Sequence, residues 1–281
     1  MAVTYEDLQS NCRQVTTYDN YFTALCPFHN DSAPSLLVFK DGWFRCLGSC
    51  GRNGTWITLW NKLKGQPIQV MPERHTIWGI PKVSVGDLEE VCYQAHEDLL
   101  AYPTLGWYLE MRGIEGRIER NELGYWDGWY TIPVTDKEGQ FVTAIFRAAP
   151  HVQQATGLRY YCPHHPVPFV PDWKLYNGEQ TLFVVYGAID ALVISDLRFP
   201  VITSSAGNKS FSGEWLDNVR KPINIVPDKG EEKVARGLAA VLGWRGRVVN
   251  LPYPEGIKDP AGYYEKNKKG ELMSVLLKEN K

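Results

Sequence analysis

Four residues of this chain have the types and spacing of a metal centre. Cys26-Pro27-Phe28-His29 is followed by Cys46-Leu47-Gly48-Ser49-Cys50-Gly51, giving C-x2-H-x16-C-x3-C. Two short-spaced pairs, each on a tight turn, can converge on one tetrahedral zinc, for which thiolate and imidazole are the preferred ligands. Gly48 and Gly51 let the second turn curl its backbone around the ion. With four protein ligands the coordination shell is closed, so the expected role is structural and not hydrolytic. Cys12, Cys92 and Cys162 lack partner spacing and are expected to pack as small apolar side chains. His164-His165, near Cys162, sit among prolines in a loop and are not counted as a second metal site.

The elements around the quartet follow from patterning. Ser35–Phe39 and Gly42–Arg45 alternate like the strands of a hairpin, and a helix is expected to start at Trp56. Residues 66–99 carry two basic against six acidic residues and are broken by Pro67, Pro72 and Pro81, which predicts a linker and then a helix near 86–102. Between 100 and 178 a helical YLEMRGI precedes strands at Trp129–Val134 and Phe141–Phe146, joined by a turn at Asp136-Lys137-Glu138-Gly139. From 179 the pattern changes. TLFVVYG, FPVITSS, INIVPD and RVVNLP read as strands, separated by helices at IDALVISDL, GEWLDNV and 231–243. Apolar strands alternating with helices predict a parallel α/β sheet, whose working residues lie beyond the carboxyl ends of the strands.

Composition sets the outer limits. The 281 residues carry 30 basic and 32 acidic side chains, a net charge of -2, which excludes a histone-like polycation but leaves room for a local basic groove. No apolar run reaches the roughly 18–20 residues of a membrane helix. The N-terminal MAVTYEDLQSNCRQ lacks a basic region followed by an apolar one, so a cytoplasmic protein is expected, bacterial or in a phage-infected cell.

CPFHNDSAPSLLVF followed by WFRCLGSCG resembles the zinc-binding domain of bacterial DnaG-type DNA primases, with Cys26, His29, Cys46 and Cys50 at the ligand positions. The x3 spacing of the second pair departs from the x2 usual in that family and implies a wider turn. Tyr108–Ile114 is similar to the family's YLxxRGI segment. Pro133, Asp136, Gly139 and Arg147 match the stretch leading into its polymerase core, and Arg159-Tyr160 stands where it has a basic-aromatic pair. The resemblance makes Arg112, Arg147 and Arg159 nucleic-acid or nucleotide ligands, since guanidinium groups grip phosphates in pairs of hydrogen bonds. Lys209, after Gly207-Asn208, and Lys258 join them.

Residues 179–262 resemble the Toprim fold, in which clustered carboxylates hold divalent metal for phosphoryl transfer. Asp190, Asp228 and Asp259 stand at expected positions, whereas Tyr186, Gly230 and Ala261 occupy three places where the family has acids. Glu231 and Glu232 follow Asp228 closely enough to replace lost ligands. The implied organisation is a zinc-ribbon-like β domain (1–65), linker and helix (66–99), N-terminal polymerase region (100–178), Toprim α/β domain (179–262) and C-terminal helix or tail (263–281). The resemblance implies synthesis of short RNA primers on single-stranded DNA from ribonucleoside triphosphates. Structural Zn2+ and catalytic Mg2+ or Mn2+ go with it, and catalysis is assigned to Asp190, Asp228, Asp259 and Glu231. About twenty residues follow Asp259, so a separate helicase and a bacteriophage or mobile-element origin are expected. Two alternatives stay open, namely a catalytically weak, primase-like single-strand-binding replication factor and a RecR-like recombination mediator.

Overall fold

In the computed structural model of the protein, residues 3–40, 42–50, 52–66, 80–81 and 83–278 are described. Five short strands at Thr16–Thr17, Tyr21–Ala24, Leu36–Phe39, Trp43–Cys46 and Asn53–Thr55 pair antiparallel in chain order. The expected hairpin is thus the centre of a larger meander. Period-two alternation sends Phe22, Ala24, Leu36 and Val38 to one face, where they bury against Leu8 and Leu59 from the helices Tyr5–Asn11 and Trp56–Leu63. The first helix starts in a capping box: Thr4 Oγ1 accepts from Asp7 N, and Asp7 Oδ2 accepts from Thr4 N.

Trp43 breaks this pattern. Its side chain leaves the small sheet and enters the core of the following region, stacked on the His151 ring at 4.2 Å and 3°. Gly42 lies against the face of Trp107. These contacts dock the small sheet on the rest of the chain.

The expected linker falls largely within 67–79, outside the described residues, and its helix forms at Leu88–Ala101. That helix packs against a second antiparallel sheet of Gly124–Trp126, Trp129–Thr135, Phe141–Ala148 and Tyr160–Tyr161. The predicted turn is tied by Asp136 Oδ1, which accepts from Glu138 N and Gln140 N at 3.0 and 2.8 Å.

The third sheet has the order Pro168–Phe169, Val201–Ser204, Leu182–Val184, Ile223–Ile225, Gly246–Val248, parallel apart from its first strand. The helix Ala188–Asp196 is apolar nearly all round because it is covered on most sides. Two elements differ from expectation. GEWLDNV forms only a 3-10 turn at Gly213–Leu216, and Arg245 Nη1 donates to the Leu216 and Val219 carbonyls that the turn leaves open. RVVNLP is a strand only at Gly246–Val248. The C-terminal helix begins early, at Pro260, where a missing N–H and fixed φ suit a first turn, and runs to Lys278. Among the described residues no helix is long and apolar enough to cross a membrane.

Candidate metal centres and the basic pocket

The four predicted zinc ligands converge. Cys26 Sγ and Cys50 Sγ are 3.6 Å apart, Cys46 Sγ and His29 Nδ1 are 3.9 Å apart, and all four ligand atoms lie within 4.8 Å of one another. A tetrahedron with Zn–S bonds of about 2.3 Å has edges of about 3.8 Å, so the nest fits a zinc ion. Asp31, which the sequence reading did not single out, organises it. Its Oδ1 lies 3.4 Å from His29 Nε2, which leaves Nδ1 for the metal, while Oδ2 accepts from Cys26 N at 2.9 Å and Ser35 Oγ at 2.6 Å. Gly48 N donates to Cys46 Sγ at 3.2 Å. A Cβ on Gly48 would sit 2.6 Å from Ser35 Oγ, so a larger residue there would push Ser35 out of its bond with Asp31. Gly51 lies outside the described residues. Burial, together with the neighbouring thiols, pushes the Cys26 thiol up to about 12. A bound cation removes the obstacle to ionising the cluster.

Cys12 and Cys92 pack in cores, with thiols pushed up by burial to about 11 and about 12. Among the described residues, no second cluster of this kind forms around Cys162 and His164-His165.

The acids come together from two strand ends and the start of the C-terminal helix. Asp190 lies in the first turn of the helix that follows Leu182–Val184, Asp228 follows Ile223–Ile225, and Asp259 directly precedes the C-terminal helix. Backbone bonds hold the loops in place. Ala261 N donates to Asp190 Oδ1 at 2.9 Å, Gly262 N to Asp259 Oδ1 at 2.7 Å, and Lys229 N to Lys258 O at 2.7 Å. Gly187 is needed because a Cβ there would meet Asp190 Oδ2 at 2.4 Å. Burial and then the charges of Asp259 and Asp228 hold the Asp190 carboxyl well above its usual range. Burial, Asp259 and Glu231 push Asp228 up to about 7.

The structure separates the two glutamates that the sequence left as alternatives. Glu232 Oε1 accepts from Gly230 N at 3.0 Å, at the start of its own helix. Glu231 instead interacts electrostatically with Asp228 and Tyr186. Asp228 Oδ1 and Glu231 Oε2 are buried and accept no hydrogen bond. Orphaned carboxylate oxygens of this kind suit a hard divalent cation, which takes oxygen ligands. The Tyr186 phenol is pushed up to about 12 by burial and these two acids, so it stays neutral and is a poor replacement for a carboxylate.

Beside Asp259 is an open cavity of about 350 Å³, lined in part by Arg112, Arg147, Arg159 and Lys258. Its cations are ordered in a ladder with two tyrosines. The Arg112 and Arg147 guanidinium groups each lie 5.3 Å from the Tyr108 ring, and Arg147 and Arg159 lie 5.2 and 5.5 Å from the Tyr160 ring. Arg159 Nη2 is 3.5 Å and Arg112 Nη1 3.9 Å from the Asp259 carboxylate. Arg147 is buried and donates from Nη1 to the Ala148 and Arg159 carbonyls, so it braces the pocket floor as much as it lines it. Gln153 and Glu265 also line the cavity and had no signal in the sequence reading. Lys209 is exposed on a 3-10 turn after Val201–Ser204 and is not among the cavity-lining residues.

Residues 6–69 match the CHC2 zinc finger of the DnaG zinc-ribbon family. Comparison with curated protein sequences finds no match. Among solved structures, the Aquifex aeolicus primase (zinc-binding and RNA polymerase domains) superposes with a TM-score of 0.55 at 18% identity, covering 99% of this chain and 86% of that one. The RNA polymerase domain of Mycobacterium tuberculosis primase DnaG, in complex with a double-stranded DNA oligomer with a 6-nucleotide overhang, gives 0.53 at 18% identity over 68% of this chain and 78% of its own. The chain therefore has the mixed α/β fold of DnaG-type primases, with a CHC2 zinc finger at its N-terminal side.

Proposed function

We propose that the protein is a DNA primase, a DNA-directed RNA polymerase that makes short RNA primers on single-stranded DNA. The observation that carries this reading is the pair of buried, unpartnered oxygens of Asp228 and Glu231 next to an arginine-lined cavity. Asp190, Asp228, Asp259 and Glu231 would hold Mg2+ or Mn2+, which when bound neutralises charge developing on the attacking and leaving oxygens. Arg112, Arg159 and Lys258 orient the nucleoside triphosphate, while the stacked tyrosines fix the direction of the guanidinium groups. Arg147 keeps the ladder in register from below. The zinc module, held by Trp43, helps position template over the same face. Lys209 has its place on template beyond the cavity. The full overlap with a structure containing both zinc-binding and polymerase domains favours this reading over a RecR-like mediator. The reading places the protein in the cytoplasm, alongside a separate replicative helicase.

A second reading has its own observation. Tyr186, Gly230 and Ala261 leave the acid set thinner than the family pattern, which suits a template-binding factor that does not polymerise. Labelled-ribonucleotide incorporation on mixed-sequence single-stranded DNA, with Mg2+ or Mn2+, separates the two. Short products that disappear in Asp228→Asn are expected. Template binding without product in either metal, with and without a helicase, would leave the second reading standing.

A further inference from the structure

The arginine-lined cavity holds acids of its own. Asp259 and Glu265 line it together with Arg112, Arg147, Arg159 and Lys258. Asp259 belongs to the acid cluster, but Glu265 lies outside it and no step of the proposed reaction uses it. Its Oε2 is 3.6 Å from Arg112 Nε, while Asp259 Oδ1 is 3.9 Å from Arg112 Nη1. Two of the chain's own carboxylates therefore share one guanidinium.

The backbone under Glu265 is fixed. Its helix, Pro260–Lys278, starts with Gly262 N donating to Asp259 Oδ1 at 2.7 Å. Tyr264, one residue before Glu265, seats on the turn that follows Arg112. Its Oη donates to Gly113 O at 3.4 Å, and a Cβ on Gly113 would fall 2.0 Å from the Tyr264 ring. Arg112 is fixed as well, with a side chain 21% exposed and its guanidinium 5.3 Å from the Tyr108 ring. The Glu265 carboxylate is the loose member. At 3.6 Å the pair is longer than a hydrogen bond, Arg112 Nε has no hydrogen-bond partner, and the Glu265 side chain is 38% exposed.

A fixed cation beside a loose internal anion is poised to exchange it for another. A phosphate oxygen offers Arg112 the short, paired hydrogen bonds that Glu265 does not make. The displaced carboxylate turns out to water, where the loss of a half-exposed ion pair costs little. While it remains, its charge opposes an arriving anion.

We propose that Glu265 is a displaceable counter-anion for Arg112 and sets how tightly the cavity takes a polyphosphate. The inference rests on the reading of this cavity as the nucleoside triphosphate site. The same carboxylate then competes with pyrophosphate, the by-product of nucleotide transfer, and favours its release.

The test measures binding of inorganic tripolyphosphate to the full chain by calorimetry, with Mg2+ in excess. Glu265→Gln, which keeps size and loses charge, should bind it about three- to tenfold more tightly than the parent. Arg112→Gln should bind more weakly, and adding Glu265→Gln to it should change nothing further. If Arg112→Gln melts early, Arg112→Met keeps an apolar stem there and takes its place in the comparison. Unchanged or weaker binding in Glu265→Gln overturns the proposal. So does the same gain in the Arg112 variant, which would make Glu265 only one more negative charge near the ligand. Arg159→Ala tests the site itself. Loss of binding there, with no effect of Glu265→Gln, removes this inference alone. Parent-like binding in Arg159→Ala, or no binding by any of these chains, overturns the triphosphate reading and the inference together.

Discussion

The zinc quartet and the acid cluster both gather ionisable side chains, but on different principles. The quartet takes its ligands and its supporting Asp31 and Ser35 from one stretch of chain, residues 26–50, folded as a single small meander. The acid cluster takes Asp190, Asp228 and Asp259 from loops far apart in sequence, held by cross-chain backbone bonds such as Ala261 N to Asp190 Oδ1. The quartet is a closed set with its outer shell in place. The acid cluster is strained by its own charge and has oxygens without partners. A closed thiolate set serves folding, whereas an open carboxylate set is what the proposed function needs, an ion that must also meet substrate.

The largest effect should come from breaking the closed set. Structural zinc is worth about 10–16 kcal/mol in small modules, more than a five-stranded sheet of two- to four-residue strands can supply from its own core. Cys46→Ala, or stripping with a strong chelator, should release one zinc per chain and unfold residues 3–66, while the third sheet stays protected. Metal analysis and hydrogen exchange check this together. Retained protection of Phe22, Val38 and Phe44 without zinc would show that the core alone suffices.

The acid cluster should respond in the opposite sense. Asp228 titrates near 7 in the folded chain and near 3.8 unfolded. Between those values the folded state holds the extra proton, so this residue's contribution makes the metal-free protein less stable as pH rises from about 4 to 7. Asp228→Asn should therefore raise the melting temperature at pH 8 without divalent metal, and abolish the gain in stability that Mg2+ or Mn2+ gives the parent. The same change should lower nucleotide incorporation by ~100-fold or more, the scale set by loss of one charge-stabilising group. Glu231→Gln should weaken metal binding by roughly ten- to a hundredfold. Glu232→Gln should leave metal affinity unchanged and remove only the helix-start contact with Gly230. Equal losses in the two glutamate variants, followed by metal titration, would erase the distinction drawn between them.

How much of this was readable in the sequence follows the same divide. The zinc ligands are announced by spacing, because C-x2-H and C-x3-C hold both ligands of each pair on one turn. Asp31 is missed because a carboxylate beside a histidine has no period or motif; the signal available was its place two residues after His29. In the α/β sheet, apolar runs mark the strands, and the strand ends place Asp190 and Asp228. What sequence could not choose was between Glu231 and Glu232, since one residue of helix rotation turns a side chain by about 100°. GEWLDNV has a helix-like composition but only seven residues, and a segment that short takes its conformation from tertiary contacts, here Arg245 on the Leu216 and Val219 carbonyls, which the sequence does not display. Trp43 is the strand residue expected and Arg147 was expected as a phosphate ligand, but only long-range packing shows that the first enters a neighbouring core and the second braces the pocket floor.

The smallest expected effect tests whether the two regions act as one. Trp43 of the zinc module stacks on His151, whose imidazole is held neutral by burial, its pKa lowered to about 3. Above pH 6.5 both folded and unfolded chains carry a neutral imidazole here, and the contact keeps its full strength. Below 6.5 the unfolded or undocked chain takes up a proton that the docked chain refuses, so stability is lost as pH falls towards 3. One proton gives a slope of at most about 1.4 kcal/mol per pH unit. His151→Phe keeps a flat ring against Trp43 without a titrating group, so it should flatten the pH dependence between 6.5 and 4.5 while leaving stability at pH 8 nearly unchanged. Trp43→Ala should instead loosen the module at every pH, read as a longer distance between fluorophores on the zinc module and the third sheet. If His151→Phe keeps the parent's acid slope, the stack is only packing, and the closed and open centres are joined by something other than this pair of rings.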